Sequence, residues 1–123
     1  MSLPVKTEFK SRADFLEQLK YNPGLIIIKF GADWCGPCKR IEQNVIKWFN
    51  IMPKNVQCYM IDVDTCFDIY AYLKRQKFIK TIPTILCYYK DNLSYVPDLS
   101  ISDSDNDNVN LFFTKCLQDL NAK

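Results

Sequence analysis

The sequence predicts an α/β fold, in which helices cover both faces of a central sheet, and two observations support this class. Short runs rich in β-branched and aromatic residues alternate with segments whose apolar residues recur at helical spacing. That order is typical of parallel strands joined by crossover helices. In addition, 48% of the 123 residues are hydrophobic, which is enough for one core in a chain of this length. We therefore expect a single domain over residues 1–123.

The first half of the chain predicts two strands and two helices. Residues 5–9 suit a short edge strand, and a helix is predicted over residues 11–21 with Ser11 as its N-cap and Asp14 at the reciprocal position. Residues 25–30 form a nearly continuous apolar run, which predicts a buried strand. The amphipathic pattern that follows predicts a second helix, which a proline beyond its last turn should close.

The second half predicts three strands and two helices. Residues 56–63 are expected to form a buried strand and residues 67–76 a helix. Residues 84–89 and 93–96 are expected to form a hairpin, which makes the sheet mixed. A last helix should begin near Asn108, since one apolar stripe follows it: Val109, Phe112, Phe113, Cys116, Leu117 and Leu120. In total, the sequence predicts four to five strands flanked by about four helices.

Two cysteines, two residues apart, lie at the predicted junction between the strand of residues 25–30 and the following helix. Cys35 should lie near the N-cap and Cys38 one turn into the helix. Unpaired N–H groups and the positive dipole end favour a thiolate there, which lowers the pKa of Cys35 and makes it the nucleophile. Gly36 relaxes the backbone between the sulfurs, and Pro37 lacks only an N–H that a first helical turn does not use. The motif therefore predicts a reversible disulfide.

The same spacing also provides half of a zinc site, but the rest of the sequence argues against a metal. The chain contains no His, and the other four cysteines form no second pair of this spacing. We expect Cys58, Cys87 and Cys116 to be buried and inert, because they fall in central strands or on the apolar helix stripe. For Cys66, at a predicted helix start, we favour a structural role over regulatory oxidation.

Composition and charge exclude several classes of function. The net charge is only +2, which does not suggest nucleic-acid binding, and the apolar run of residues 25–28 is far too short to cross a membrane. The first six residues lack the apolar segment of a secretion signal. Six cysteines in such a chain favour reduced thiols in catalytic use. We therefore expect a cytoplasmic monomer.

The hexapeptide from Trp34 to Lys39 closely resembles the active-site signature of the thioredoxin family. Residues 81–84, which precede a predicted strand, resemble that family's cis-proline loop. The resemblance covers essentially the whole chain and implies a thioredoxin fold with a cis Ile82–Pro83 bond beside the two thiols. It also implies that the Ile82 backbone pairs with an extended substrate segment, and that Trp34 is a partly exposed substrate contact.

The resemblance implies dithiol–disulfide exchange on protein substrates, without a cofactor. Cys35 attacks a substrate disulfide, and Cys38 then resolves the mixed disulfide. The Gly-Pro pair between the cysteines resembles the reducing members of the family, for which a thioredoxin reductase is the expected electron donor. Two alternatives stay open: a thiol oxidase or isomerase with a raised reduction potential, and a partner-binding module in which redox activity is incidental.

Lys29 departs from the family pattern, because thioredoxins usually carry a buried Asp at the matching position, with a partner Lys where this chain has Met60. A nearby cation stabilises a thiolate, so one hypothesis is that Lys29 lowers the pKa of the cysteines and makes the protein a weaker reductant. The alternative is that Lys29 reaches the surface or pairs with Asp62 or Asp64, which leaves catalysis untouched.

Two further charged segments carry expectations. A calcium loop is a poor match for the acidic run of residues 103–107, because the required Gly and Glu are missing, and we expect a solvated loop that caps the last helix. The polar segment of residues 98–108 is also longer than the family's usual link. Basic residues near the two motifs predict a preference for acidic partner surfaces, namely Lys39, Arg40, Lys74, Arg75, Lys77 and Lys80.

Overall fold

Four strands and four helices alternate along residues 2–122, the part of the chain that this computed structural model describes. In chain order they are α1 (Arg12–Leu19), β1 (Leu25–Gly31), α2 (Gly36–Asn50), β2 (Val56–Asp62), α3 (Phe67–Arg75), β3 (Thr84–Tyr89), β4 (Leu99–Ile101) and α4 (Asn106–Ala122). The α/β class and the predicted numbers of strands and helices are therefore confirmed.

The strands form one mixed sheet in the order β2-β1-β3-β4. β1 runs parallel to β2 and antiparallel to β3, and β3 is antiparallel to β4. All seven residues of β1 are buried, as expected for a central strand covered on both faces. Phe30, near the end of β1, lies opposite Thr84 at the start of β3. This register brings the segment that follows β1 and the segment that precedes β3 to the same end of the sheet.

The sheet separates two hydrophobic cores, and β1 contributes alternate side chains to each. Ile26, Ile28 and Phe30 pack with residues of α1 and α3. Leu25 and Ile27 pack on the other face with residues of α2 and α4. Because side chains alternate along a strand, Lys29 faces the same side as Leu25 and Ile27, toward α2.

Side-chain caps set the starts of two helices. Ser11 caps α1 as predicted and accepts a hydrogen bond from the Asp14 N–H at 3.1 Å. The Asp14 carboxylate accepts a hydrogen bond from the N–H of Lys10, one residue before the N-cap, whereas a capping box would place this bond on the N–H of Ser11. α4 begins two residues before the predicted Asn108, because Asp105 accepts the N–H of Asp107 at 2.8 Å and thereby caps the helix.

The predicted strand over residues 5–9 is reduced to a single bridge between Lys6 and Tyr59. The Lys6 N–H donates to the Cys58 carbonyl, and the Lys6 carbonyl accepts from the Met60 N–H. Pairing does not extend along the segment, because Phe9 turns inward and stacks on Tyr59, with ring centroids 4.3 Å apart. This segment is therefore held by packing of the Phe9 ring and not by further strand hydrogen bonds.

The predicted hairpin partner of β3, residues 93–96, is wrong. β3 pairs instead with Leu99–Ile101, and the intervening residues form a loop. Local polar bonds close this loop, since the Asn92 side chain accepts from the Ser94 N–H and donates to the Val96 carbonyl. Pro97 has no N–H to offer a ladder. Side-chain bonding and this proline therefore delay the return strand.

Residues 103–105 of the acidic run form the loop that was expected, and residues 106 and 107 begin α4. Asp103 accepts bonds from the Asp105 N–H and the Asn108 side chain, and these bonds hold its pKa below the usual range. Across residues 2–122, no group of three or more His, Cys, Asp or Glu residues is arranged to hold a metal ion. None of the helices within those residues is long and apolar enough to cross a membrane.

Candidate active site

The cysteine motif and the proline loop meet at the end of the sheet where β1 ends and β3 begins. Cys35 is the N-cap of α2, and Cys38 lies in the first turn of that helix. Both positions agree with the sequence prediction. Pro37 also lies in the first turn, where a missing N–H leaves no helical bond unmade.

Cys35 and Cys38 are joined by a disulfide, with their Cα atoms 5.2 Å apart. The backbone N–H of Cys38 points at the Cys35 sulfur, at a distance of 3.2 Å. The sulfur therefore lies at the N-terminal end of α2, where the helix dipole is positive, and it also accepts a hydrogen bond. Both effects favour negative charge on Cys35 once the disulfide is reduced.

The Ile82–Pro83 peptide bond is cis, as the family resemblance implied. The Ile82 carbonyl oxygen lies 3.8 Å from the Cys35 sulfur, and Pro83 is buried beneath it. The Thr84 hydroxyl donates to the Thr81 carbonyl and fixes the loop against β3. The loop therefore places a backbone carbonyl directly beside the reactive sulfur.

Trp34 is largely exposed beside the disulfide, which excludes a core-packing role. Its side chain is 68% exposed, and its indole N–H donates to an Asp64 carboxylate oxygen at 2.9 Å. This bond holds the ring at the rim of a cleft of about 400 Å³. The cleft is lined by Trp34, Cys35, Gly36, Pro37, Tyr70, Lys74, Lys80, Thr81 and Ile82.

Lys29 lies largely buried beside the motif, where its side chain lines an open cleft, and no ion pair joins it to Asp62 or Asp64 within residues 2–122. Its side chain is 3% exposed, and within residues 2–122 it makes no hydrogen bond or ion pair. The Asp64 carboxylate bonds Trp34, and Asp62 accepts from the Asp64 backbone N–H. Burial lowers the pKa of Lys29, and the negative charge of Glu42 partly opposes that shift.

A second cleft, of about 420 Å³, opens beside Lys29 on the other side of the motif. Carboxylates dominate its wall, in contrast to the cleft beside Trp34: Glu8, Asp33, Glu42 and Asp62. Sequence reasoning missed Glu42, although it follows Cys38 by four residues and therefore shares its helix face. It also missed Tyr70, because only the fold brings α3 to the active-site edge.

The remaining cysteines are buried away from this site. Cys58, Cys87 and Cys116 are each at most 3% exposed and belong to the core between the sheet and α4. Burial raises the pKa of Cys58 to about 12. A hydrogen bond with Cys116, together with burial, raises the pKa of Cys87. Cys66 is 5% exposed at the start of α3. The expected burial of Cys58, Cys87 and Cys116 is confirmed, and Cys66 is buried as well.

Comparison with known sequences identifies the family. The thioredoxin family profile matches residues 6–109. Thioredoxin 3 of Plasmodium falciparum is 31% identical over 94 residues, which are 76% of this chain and 49% of that protein. Thioredoxin of Oryctolagus cuniculus is 32% identical over 87 residues, which are 68% of this chain and 75% of that protein. The chain thus spans about half the length of the first relative and three quarters of the second.

Solved structures share the fold. The thioredoxin of Trichomonas vaginalis aligns with a TM-score of 0.72 at 22% identity, over 91% of this chain and 96% of that one. A thioredoxin of Plasmodium falciparum aligns with a TM-score of 0.66 at 28% identity, over 92% of this chain and 90% of that one. With the family profile covering most of the chain and a paired Cys35 and Cys38 at the start of α2, the chain belongs to the thioredoxin family of thiol–disulfide oxidoreductases.

Proposed function

We propose that this chain reduces disulfides in protein substrates, with Cys35 as the nucleophile and Cys38 as the resolving thiol. The Cys35 thiolate attacks one substrate sulfur, and the other substrate sulfur leaves with the electron pair and takes a proton. Cys38 then attacks the Cys35 sulfur, which releases the reduced substrate and closes the internal disulfide. The dithiol is thereby oxidised and the substrate disulfide reduced.

One observation carries this proposal. The Cys35 sulfur receives the Cys38 N–H and also lies 3.8 Å from the Ile82 carbonyl. The first contact favours the thiolate, and the second sets the backbone of the cis-proline loop beside it, where an extended substrate segment pairs as an added strand. Trp34 covers the neighbouring rim and adds an apolar contact surface.

The proposed reduction also requires an electron donor and a reducing environment. A thioredoxin reductase would return the Cys35–Cys38 disulfide to the dithiol, and the cytoplasm is a compartment in which such thiols stay reduced. We propose both for this chain, with disulfide-containing proteins as its partners.

The first test measures thiols released from a disulfide-bonded protein such as insulin by the pre-reduced chain. Cys35→Ser should abolish release, and Cys38→Ser should accumulate a mixed disulfide with the substrate. Cys66→Ser is the matched control, because it removes a thiol outside the site and should leave the rate unchanged. Thiol release that survives Cys35→Ser would overturn the assigned role, and partner binding without release would favour the binding module.

The reduction potential of the Cys35–Cys38 pair, measured at equilibrium with a glutathione series, distinguishes the reductase from the oxidase or isomerase alternative. A potential close to that of reducing thioredoxins, about −270 mV, supports the reductase. A potential higher by about 30 mV corresponds to a tenfold weaker reductant and favours the alternative.

The charge of the cleft beside Trp34 favours acidic substrates. Lys74 and Lys80 line this cleft, no carboxylate does, and neither lysine forms an ion pair within residues 2–122. The Lys74 ammonium instead lies 5.7 Å from the centre of the Tyr70 ring. We therefore propose that acidic residues flanking the substrate disulfide dock on this side of the active site.

A further inference from the structure

A relay of hydrogen bonds runs from the segment before α4 to the proline loop. The Thr84 side chain is fully buried, and its hydroxyl donates to the Thr81 carbonyl. The hydroxyl oxygens of Thr84 and Ser102 lie 2.7 Å apart. Because a hydroxyl has one proton and Thr84 has already donated its own, Ser102 must be the donor in this second bond. The bonds therefore run in one direction, from Ser102 through Thr84 to the loop.

The relay ends at the carbonyl that lies beside the reactive sulfur. The Thr81 hydroxyl donates to the Ile82 carbonyl at 3.4 Å, and the same carbonyl oxygen lies 3.8 Å from the Cys35 sulfur. Thr81 is therefore held through its backbone carbonyl, while its side chain holds Ile82. Hydrogen bonds in such a chain polarise and strengthen one another. A change at Ser102 should therefore affect the Ile82 carbonyl, although the two residues are far apart in the sequence.

The segment that carries Ser102 is also bonded to α2, the helix that contains the resolving cysteine. The Arg40 guanidinium donates to the Ser104 hydroxyl at 3.1 Å. The Asn44 side-chain amide donates to the Asn106 side-chain oxygen at 3.1 Å, and the Asn106 amide donates to the Arg40 carbonyl at 3.4 Å. Residues 102–106 therefore connect α2 with the proline loop, in addition to the connection that the sheet provides.

We propose that Ser102 is a positioning residue that holds the Ile82 carbonyl where an extended substrate segment pairs with it. This inference rests on the reductase function proposed above, in which the loop backbone binds the substrate. Attack on a disulfide requires the substrate sulfur to be aligned with Cys35, and a small displacement of the pairing backbone lowers the fraction of bound substrate in that geometry. Ser102 acts through Thr84 and the loop, because Thr84 is the residue that its hydroxyl bonds.

The test compares two substrates that differ in whether they offer a backbone to the loop. One is a peptide disulfide with extended residues on both sides, and the other is a small aromatic disulfide that releases a coloured thiol. Ser102→Val should lower kcat/KM for the peptide by about fivefold, the effect of one net hydrogen bond, mainly through a higher KM. The small disulfide has no backbone to pair, so the ratio of peptide to small-disulfide kcat/KM should also fall by about fivefold.

Three further variants separate the hydrogen bond from side-chain bulk. Ser102→Thr keeps the hydroxyl that valine lacks, and it should restore the ratio to within about twofold of the unmutated protein. Thr84→Val removes the middle of the relay and should lower the ratio as Ser102→Val does, with no further loss in the double variant. Ser100→Val changes an exposed residue of β4 and should leave the ratio unchanged.

The outcomes distinguish this inference from the function on which it rests. A ratio that is unchanged in both Ser102→Val and Thr84→Val, or that falls equally in Ser100→Val, would overturn the role of Ser102. Failure of Ser102→Thr to restore the ratio would also overturn it, as would additive losses in the double variant, because the two hydroxyls would then act independently. An unmutated protein that reduces neither substrate would instead contradict the reductase proposal itself.

Discussion

At the level of single residues, Lys29 opposes folding at neutral pH because burial of its side chain disfavours the charged form more than the nearby Glu42 carboxylate favours it. Its pKa in the folded chain lies below the ordinary value of 10.5. Between those two values the unfolded chain binds more protons than the folded one, so stability rises with pH across that window. Replacement of Lys29 should remove both the penalty and this part of the pH dependence.

We predict that Lys29→Met raises the free energy of unfolding at pH 7 by about 1 kcal/mol, because it removes the desolvation that lowers the pKa of this lysine. The gain should shrink as the pH rises through the folded-state pKa of Lys29 toward 10.5, since more of the wild-type amine is neutral there. Urea unfolding at several pH values measures both effects.

Two buried tyrosines set the highest pH at which wild type and Lys29→Met can be compared in this way. Burial raises the pKa of Tyr59 to about 12, and it raises that of Tyr88 as well. These residues destabilise the fold above about pH 10, where the unfolded chain loses their protons first, and they do so equally in both proteins. Parallel stability curves for wild type and Lys29→Met below that pH would contradict the prediction.

The residues of the candidate site differ in how far local sequence could predict them. Cys35, Cys38 and Pro83 belong to short motifs whose local geometry follows from adjacent residues. The environment of Lys29 does not, because its burial depends on α2 covering that face of β1. The close approach of Gly31 is likewise a property of the packed structure, since it involves the side chains of Lys29 and Cys38 together.

At the level of secondary-structure elements, α4 depends on one aromatic anchor. Phe113 is fully buried, stacks on Trp48 with centroids 5.2 Å apart, and meets Phe49 edge-on at 6.0 Å. The Trp48 indole N–H also donates to Asn110 of α4 at 2.8 Å. The contact therefore joins α4 to α2, the helix that carries both redox cysteines.

We predict that Phe113→Ala lowers the free energy of unfolding by about 3 to 5 kcal/mol, because it leaves a cavity between α2 and α4. Leu111→Ala is the control on the same helix, since Leu111 is 67% exposed. It should change stability by less than about 0.5 kcal/mol. Urea unfolding of both variants tests the prediction, and equal losses would show that the aromatic contact is not the anchor.

The elements that the sequence predicted well are those with long patterns. Central strands and amphipathic helices carry enough apolar residues for the period to be clear. β4 has only three residues, Leu99–Ile101, so no alternation could be distinguished there. Instead, the hydrophobic residues of 93–96 suggested a strand, and only the bonds of Asn92 explain why that segment is a loop.

At the level of the whole molecule, the sheet topology creates the site. The antiparallel pairing of β1 with β3 sets Phe30 opposite Thr84, so the cysteine motif and the proline loop converge although more than forty residues separate them. Periodicity alone does not specify this pairing, and only the family resemblance predicted it. The same topology places a lysine-lined cleft on one side of the disulfide and a carboxylate-lined cleft on the other.

This asymmetry predicts how the protein selects its substrates. Disulfide peptides with acidic flanking residues should react faster than matched basic peptides, because Lys74 and Lys80 attract them to the cleft beside Trp34. Raising the ionic strength from about 10 mM to about 500 mM should remove most of the difference, since salt screens exposed charges beyond a few ångströms.

A charge-reversal pair tests whether these two lysines cause the preference. The double variant Lys74→Glu and Lys80→Glu should lower kcat/KM for the acidic peptide by about tenfold at low salt and raise it for the basic peptide. The control, Lys54→Glu, reverses an exposed charge in the loop before β2, at the opposite end of the sheet, and should alter neither value. Rates that do not change with ionic strength would show that apolar contact governs substrate choice. An equal effect of Lys54→Glu would show that net charge, and not this cleft, governs it.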